Sequence, residues 1–170
     1  MQSNQDINPI FTHIDTHAHV NFPAYDTDRA DVIARAHTEG VAMINVGTTL
    51  DASRDIVALA EQYESGVYAI VGMHPLHVKY DKNLTNEDQE TVAPINAPLD
   101  NSAETPAHYS HDYTEHFDEV EFEKLISHPK VVGIGECGID IFRLSPELDN
   151  ETDRAVLLKL QETVFRKQIQ

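Results

Sequence analysis

Stretches patterned as strands alternate with stretches patterned as helices along this chain, and that alternation leaves few architectures open to it. Phe11 to Val20 is a short alternating run that reads as a strand. Asp26 to Gly40 then carries helical spacing at Val32, Ile33 and Ala36 and is closed by Gly40. The step repeats as a strand over Val41 to Val46, a helix over Asp51 to Tyr63 with Ile56, Val57, Leu59 and Ala60 on its apolar face, and a strand over Val67 to Val71. Further along, Asp118 to Ser127 predicts a helix, Val131 to Ile134 a strand, and Glu151 to Gln170 a long helix. The strands are rich in Val and Ile without clean alternation, as expected of a parallel sheet covered on both sides.

Four strands each followed by helical sequence suit an open doubly wound sheet or part of a (β/α)8 barrel. A doubly wound nucleotide-binding fold favours a Gly-rich phosphate turn after its first strand. Here that position holds His17-Ala18-His19, so the expected class is α/β, a TIM-like barrel. A closed barrel takes about 250 residues. With 170 residues and four strands, the chain is expected to supply the N-terminal half of one such domain.

Between these blocks, from about Tyr80 to Phe117, the chain turns polar, with Pro94, Pro98, Pro106 and many Asn, Asp, Glu and Thr. That composition predicts a long loop after the third strand, mobile and dispensable for the core. It carries much of the charge. The chain has 29 acidic against 12 basic residues, net −17, and the stretch Asp81 to Glu123 alone contributes 12 acids and one Lys. Such a balance argues against holding nucleic acid by a basic surface, although outside that stretch the imbalance is only about −6. No run approaches the roughly 18 apolar residues of a membrane span, and Met1 to Thr12 lacks a basic start and an apolar signal core. A cytoplasmic location with no membrane partner is expected. Cys137 is the only cysteine, which rules out an intrachain disulfide and fits a reducing compartment.

Chemistry concentrates at three predicted strand ends. His17 and His19, two apart, project to one strand face together with Asp15, so two imidazoles converge at the rim where barrel active sites are built. Imidazole suits Zn²⁺ and similar ions, and an added carboxylate admits harder ones such as Mn²⁺. Gly135-Glu136-Cys137-Gly138 follows the fourth strand, and its glycines set Glu136 on a tight turn facing the same rim. Gly72-Met73-His74-Pro75 closes the third strand and brings His74 there. Each motif alone also reads blandly, as strand histidines, a turn glutamate and a hydrogen-bonded structural histidine. Cys137 is expected to be a small buried residue rather than a soft ligand. Asp140 could be an acceptor behind a ligand imidazole or a helix cap. His108, His111 and His116, in the acidic stretch, are expected to be solvated bystanders.

In combination the motifs are far more specific. Ile14-Asp15-Thr16-His17-Ala18-His19, Asn45-Val46-Gly47-Thr48, Val71-Gly72-Met73-His74-Pro75, the run from His128 to Asp140 and the final Gln161 to Gln168 resemble the TatD-type metal-dependent hydrolases of the amidohydrolase superfamily. The resemblance covers about Phe11 to the last residue, apart from the acidic stretch, which is longer than the family's loop there. It implies a TIM-like barrel with a divalent metal site (Mg, Mn or Zn, two per complete site). It makes His17, His19 and Glu136 ligands, Glu136 the catalytic carboxylate and His74 a substrate contact. It implies a deoxyribonuclease cleaving DNA phosphodiester bonds with a metal-activated water. The family's later ligands, two histidines and an aspartate, have no counterpart in this chain. An amide or ester hydrolase on the same barrel, or a non-catalytic fragment, stay open as alternatives.

Overall fold

Each apolar stretch forms a strand in the computed structural model, which describes residues 10–78, 117–142 and 151–170. β1 (His13–Ala18), β2 (Val41–Val46), β3 (Val67–Val71) and β4 (Val131–Ile134) make one parallel sheet in the order β1-β2-β3-β4. Parallel neighbours cannot be joined by a tight hairpin, so the chain returns through crossovers. Between them lie α1 (Arg29–Thr38), α2 (Leu50–Glu61) and α3 (Glu119–Ile126), and α4 (Glu151–Ile169) follows β4. β2, β3 and β4 have the bounds read from sequence, whereas β1 is two residues shorter at each end than the run Phe11 to Val20. The first helix starts at Arg29, later than the Asp26 read from sequence, because residues 26–28 form a turn that follows a single 3-10 turn over Pro23–Tyr25.

Helix starts follow their caps. Thr49 accepts the Ala52 N–H (3.1 Å) at the start of α2, and Asp118 accepts the Glu121 N–H (3.1 Å) at the start of α3. The apolar stripes of the helices then pack on the sheet face that carries Met43, Val67, Ala69, Val71 and Val131. Ile33 of α1 joins Val20, Met43, Leu59, Ala60 and Val67, while Ile56 and Val57 of α2 meet Ala69 and Val71. A third cluster joins Leu50, Met73, Val78, Phe122, Leu160 and Val164, so α4 seals the end of the sheet beside β3. Burying each such side chain is worth roughly 1.5–3 kcal/mol.

Among the described residues these clusters lie on one face of the sheet. On the other face Ala42 and Val46 are buried, Ile44, Tyr68 and Ile70 are half-buried and Ile14 is exposed. Apolar residues on a face without helices are what the inside of a barrel requires, and the sheet is an arc of that architecture. The predicted loop over Tyr80 to Phe117 lies outside the described residues except for Phe117, as do His108, His111 and His116. Phe117 lies in no helix or strand, as read, but it is not dispensable for the core: its ring stacks on Phe122 (4.9 Å between centroids, 15° between planes) and packs against the third cluster.

Candidate metal centre

In a parallel sheet every strand delivers its C-terminal end to the same rim, and three such ends carry the polar side chains. His17 stands at the end of β1 and His19 just beyond it. The ladder between β1 and β2 shifts register between Asp15 and Ala18, and there the Asp15 carboxylate accepts the His17 backbone N–H (3.0 Å). Asp15 therefore braces the backbone under His17, and the converging group of ligand atoms does not include it, although strict alternation put it on the same face. Past His19 the chain is pinned again. Asn45 accepts the Val20 N–H (3.0 Å), and the Arg29 guanidinium donates to the carbonyls of Val20 (2.6 Å) and Asn21 (2.9 Å).

The His19 ring is held in two ways. It stacks on Phe22 (4.6 Å, 8°), and its Nδ1 lies 2.9 Å from the Val46 carbonyl oxygen. A carbonyl can only accept, so Nδ1 carries the proton and the neutral ring presents a lone pair at Nε2. Such a backbone partner behind an imidazole is what orients a metal-ligating histidine.

Glu136 reaches the same point from β4. The Gly135 N–H donates to Val71 (2.9 Å) and the Glu136 N–H to the Gly47 carbonyl (2.8 Å), so its backbone is fixed to the ends of β3 and β2. The Gly135–Glu136 peptide is cis. Two glycines let these ends close up. A Cβ on Gly72 would come 2.6 Å from the carbonyl carbon and oxygen of Gly135, and one on Gly47 would come 2.3 Å from Ser53 Oγ.

The result is a compact donor set: one ligand atom from each of His17, His19 and Glu136, all within 4.8 Å of one another. His17 Nε2 lies 3.0 Å from Glu136 Oε1 and 3.2 Å from His19 Nε2. Ligands bound at about 2.0–2.1 Å around one ion stand roughly 3–3.5 Å apart. The spacing, two imidazoles, a carboxylate and the oriented His19 lone pair together fit a divalent cation. The rim is open to solutes, with the side chains of His17 and Glu136 54% and 25% exposed.

His74 sits at the end of β3 on the same rim but outside the converging group. Its backbone N–H donates to Thr48 (2.9 Å), and its Nδ1 accepts the Leu76 N–H (3.0 Å) at the start of the 3-10 turn Pro75–His77. The neutral ring therefore carries its proton on Nε2, the opposite tautomer from His19. Cys137 is half-buried and outside the donor group, and burial pushes its thiol up from the ordinary range, as expected of an inert cysteine. Asp140 caps its own loop by accepting the Phe142 N–H (2.9 Å), and its backbone N–H donates to Gln161 (3.0 Å). Reading single motifs missed Arg29, Gln161 and Gln168, which hold the backbone behind these side chains. The signal for the glutamines was their seven-residue spacing in register with Leu157 and Val164.

No described helix is long and apolar enough to cross a membrane. A family model described as TatD related DNase matches residues 14–170. Over 157 residues the chain is 29% identical to the "Uncharacterized metal-dependent hydrolase YabD" of Bacillus subtilis, a match spanning 91% of this chain and 44% of the relative. It is 32% identical over 120 residues to the "3'-5' ssDNA/RNA exonuclease TatD" of Cronobacter turicensis, spanning 70% of this chain and 33% of that protein. The chain thus matches less than half the length of these relatives. The solved structure of YjjV, a TatD homologue from Escherichia coli, superposes with a TM-score of 0.55 at 23% identity, covering 95% of this chain and 46% of that one. The parallel sheet, the rim and the family match over nearly the whole chain agree, and the protein belongs to the TatD related DNase family.

Proposed function

We propose that His17, His19 and Glu136 hold a divalent cation, Mn²⁺, Mg²⁺ or Zn²⁺, in a hydrolytic centre acting on DNA phosphodiester bonds. The observation that carries this is the convergence of two imidazoles and one carboxylate within 4.8 Å, with the His19 lone pair oriented by Val46. A relative's name, "3'-5' ssDNA/RNA exonuclease", supports the choice of substrate class. In this reading residues 1–170 are the N-terminal part of one barrel domain.

A divalent cation supplies positive charge to a phosphoryl oxygen and lowers the pKa of water. The chain's own residues do the rest. Glu136 contributes the anionic ligand, its backbone tied to Gly47 so that the carboxylate enters from the β4 side opposite the β1 histidines. His74, as the Nε2–H tautomer, donates to a non-bridging phosphate oxygen and orients the phosphodiester. Held by one cation and one imidazole donor, the strand needs no basic surface, which reconciles a net charge of −17 with a nucleic-acid substrate. Affinity should still be weak and sensitive to salt.

Mn²⁺ titration of the chain, read by electron paramagnetic resonance, tests the site, with cleavage of a short single-stranded DNA measured in parallel. Losing even a partner behind a ligand costs about 10–100-fold in metal affinity, so Glu136→Gln and His17→Ala should each weaken Mn²⁺ binding at least that much without unfolding the chain. Wild-type affinity and stoichiometry in Glu136→Gln would refute the assignment.

A further inference from the structure

The core face of α4 contains two glutamines where aliphatic residues would pack as well. Gln161 is 2% and Gln168 5% exposed, among Leu157, Leu160 and Val164. A buried primary amide is costly unless its hydrogen bonds are made, so what each one bonds shows what its burial achieves. Gln168 takes both backbone groups of a single residue: its Oε1 accepts the Met73 N–H (2.7 Å) and its Nε2 donates to the Met73 carbonyl (3.1 Å). Gln161 bridges two loops, its Nε2 donating to the Pro75 carbonyl (3.0 Å) and its Oε1 accepting the Asp140 N–H (3.0 Å).

His74 lies between these two clamps. The residue before it and the residue after it are both tied to α4 by glutamines two turns apart, and its own N–H is tied to Thr48. The neighbouring sequence makes room for this. A Cβ on Gly72 would stand 2.9 Å from Gln168 Oε1, so the clamp and a side chain at position 72 exclude each other. Through Asp140 the same helix also ties down the loop that follows Glu136.

We propose that Gln161 and Gln168 are positioning residues that fix the His74 imidazole at the rim and keep the loops after β3 and β4 in one alignment. The value of this for catalysis rests on the donor role given to His74 above; the positioning itself does not. The amide of Leu76, bonded to His74 Nδ1, reports the ring's placement directly.

The test is hydrogen exchange by NMR on the full chain with Gln168→Met and Gln161→Met, which keep side-chain length and remove the hydrogen bonds. We expect exchange of Leu76 to rise about tenfold in both, together with Met73 in the first and Asp140 in the second, while Ala69 and Val71 in β3 stay within about twofold. Uniform acceleration across the sheet, or an unchanged Leu76, overturns the proposal, because a purely structural role predicts one of those. If a variant does not fold, the unaltered chain decides. Met73 and Asp140, whose amides donate to the glutamine oxygens, must then exchange as slowly as the strand amides, and rapid exchange at either overturns the idea. Failure of Mn²⁺ to bind the unaltered chain counts against the metal centre alone and leaves the exchange result to judge the positioning.

Discussion

Replacing Gly72 by Ala puts a methyl group where the ends of β3 and β4 meet. The new Cβ would lie 2.6 Å from the Gly135 carbonyl carbon and oxygen and 2.9 Å from Gln168 Oε1. Carbon atoms in contact prefer about 3.5–4.0 Å, so the overlap is on the order of 1 Å. It falls on backbone, which cannot rotate away as a side-chain tip can. Relief requires the two strand ends to part, which lengthens the Gly135 to Val71 hydrogen bond now at 2.9 Å. Overpacking of this kind costs about 1–3 kcal/mol, and weakening a strand-end hydrogen bond adds about 0.5–1.5 kcal/mol. The expected loss is therefore about 2–4 kcal/mol. At about 2–4 °C per kcal/mol for a chain of this size, the melting temperature should fall by roughly 4–16 °C. Urea denaturation followed by circular dichroism measures the free-energy loss and a thermal melt the shift, with Gly133→Ala as the internal control. There the nearest atom is a side-chain carbon, Ile70 Cγ1 at 3.3 Å, so that variant should stay within about 1 kcal/mol of the unaltered chain. Equal costs at the two positions, or none at Gly72, would refute the steric argument. Because Glu136 hangs on the displaced end of β4, Gly72→Ala should weaken Mn²⁺ binding as well.

Ile56 is fully buried between α2 and β3 beside Ala69 and Val71, so Ile56→Ala should lower unfolding free energy by about 2–5 kcal/mol in the same urea assay. Glu121 on α3 is paired with Lys124 and with Arg54 of α2 (2.9 Å), and these partners hold its carboxyl below the ordinary range. A depressed carboxylate stabilises above its unfolded pKa and loses that contribution as pH falls through the folded one. The small stability difference between Glu121→Gln and the unaltered chain should therefore be present at neutral pH and vanish in acid and in 1 M salt.

The strands were legible because each is an apolar block short enough to have one plausible reading, and the order β-then-α excluded hairpins. Helix ends were less legible: α2 runs Leu50–Glu61 where Asp51 to Tyr63 was read, because the cap at Thr49 starts it one residue earlier. β1 was misjudged at both ends because the residues that close it, Phe11 on one side and His19 to Val20 on the other, stay apolar or aromatic while leaving the ladder. The number of covered faces was not legible at all, since Val and Ile suit a helix-covered face and a barrel interior equally well. Phe117 was assigned to the loop from the composition of its neighbours, whereas a single aromatic next to a capping Asp was enough to join the core.

At the rim, His17, His19, Glu136 and His74 could be picked out from sequence, but the tautomers of His19 and His74 could not, because those are set by which backbone group the fold brings to each ring. His19 and His74 look alike as residues. One meets a carbonyl 27 positions away and becomes a donor at Nδ1, and the other meets an amide two positions away and becomes an acceptor there. Neutral imidazole has one proton to place, so those contacts leave a lone pair at Nε2 of His19 and an N–H at Nε2 of His74. The division also explains why convergence of histidines at one rim is not sufficient to define a ligand set. In the proposed centre His74 would stand beside a cation as a donor toward an anion, its ring held in that sense through Leu76 and, as proposed above, through the backbone that Gln161 and Gln168 grip from α4. The helix that carries no ligand of its own is thus joined to the rim through Met73, Pro75 and Asp140, and a change in its buried glutamines should be felt at His74 before it is felt in the sheet.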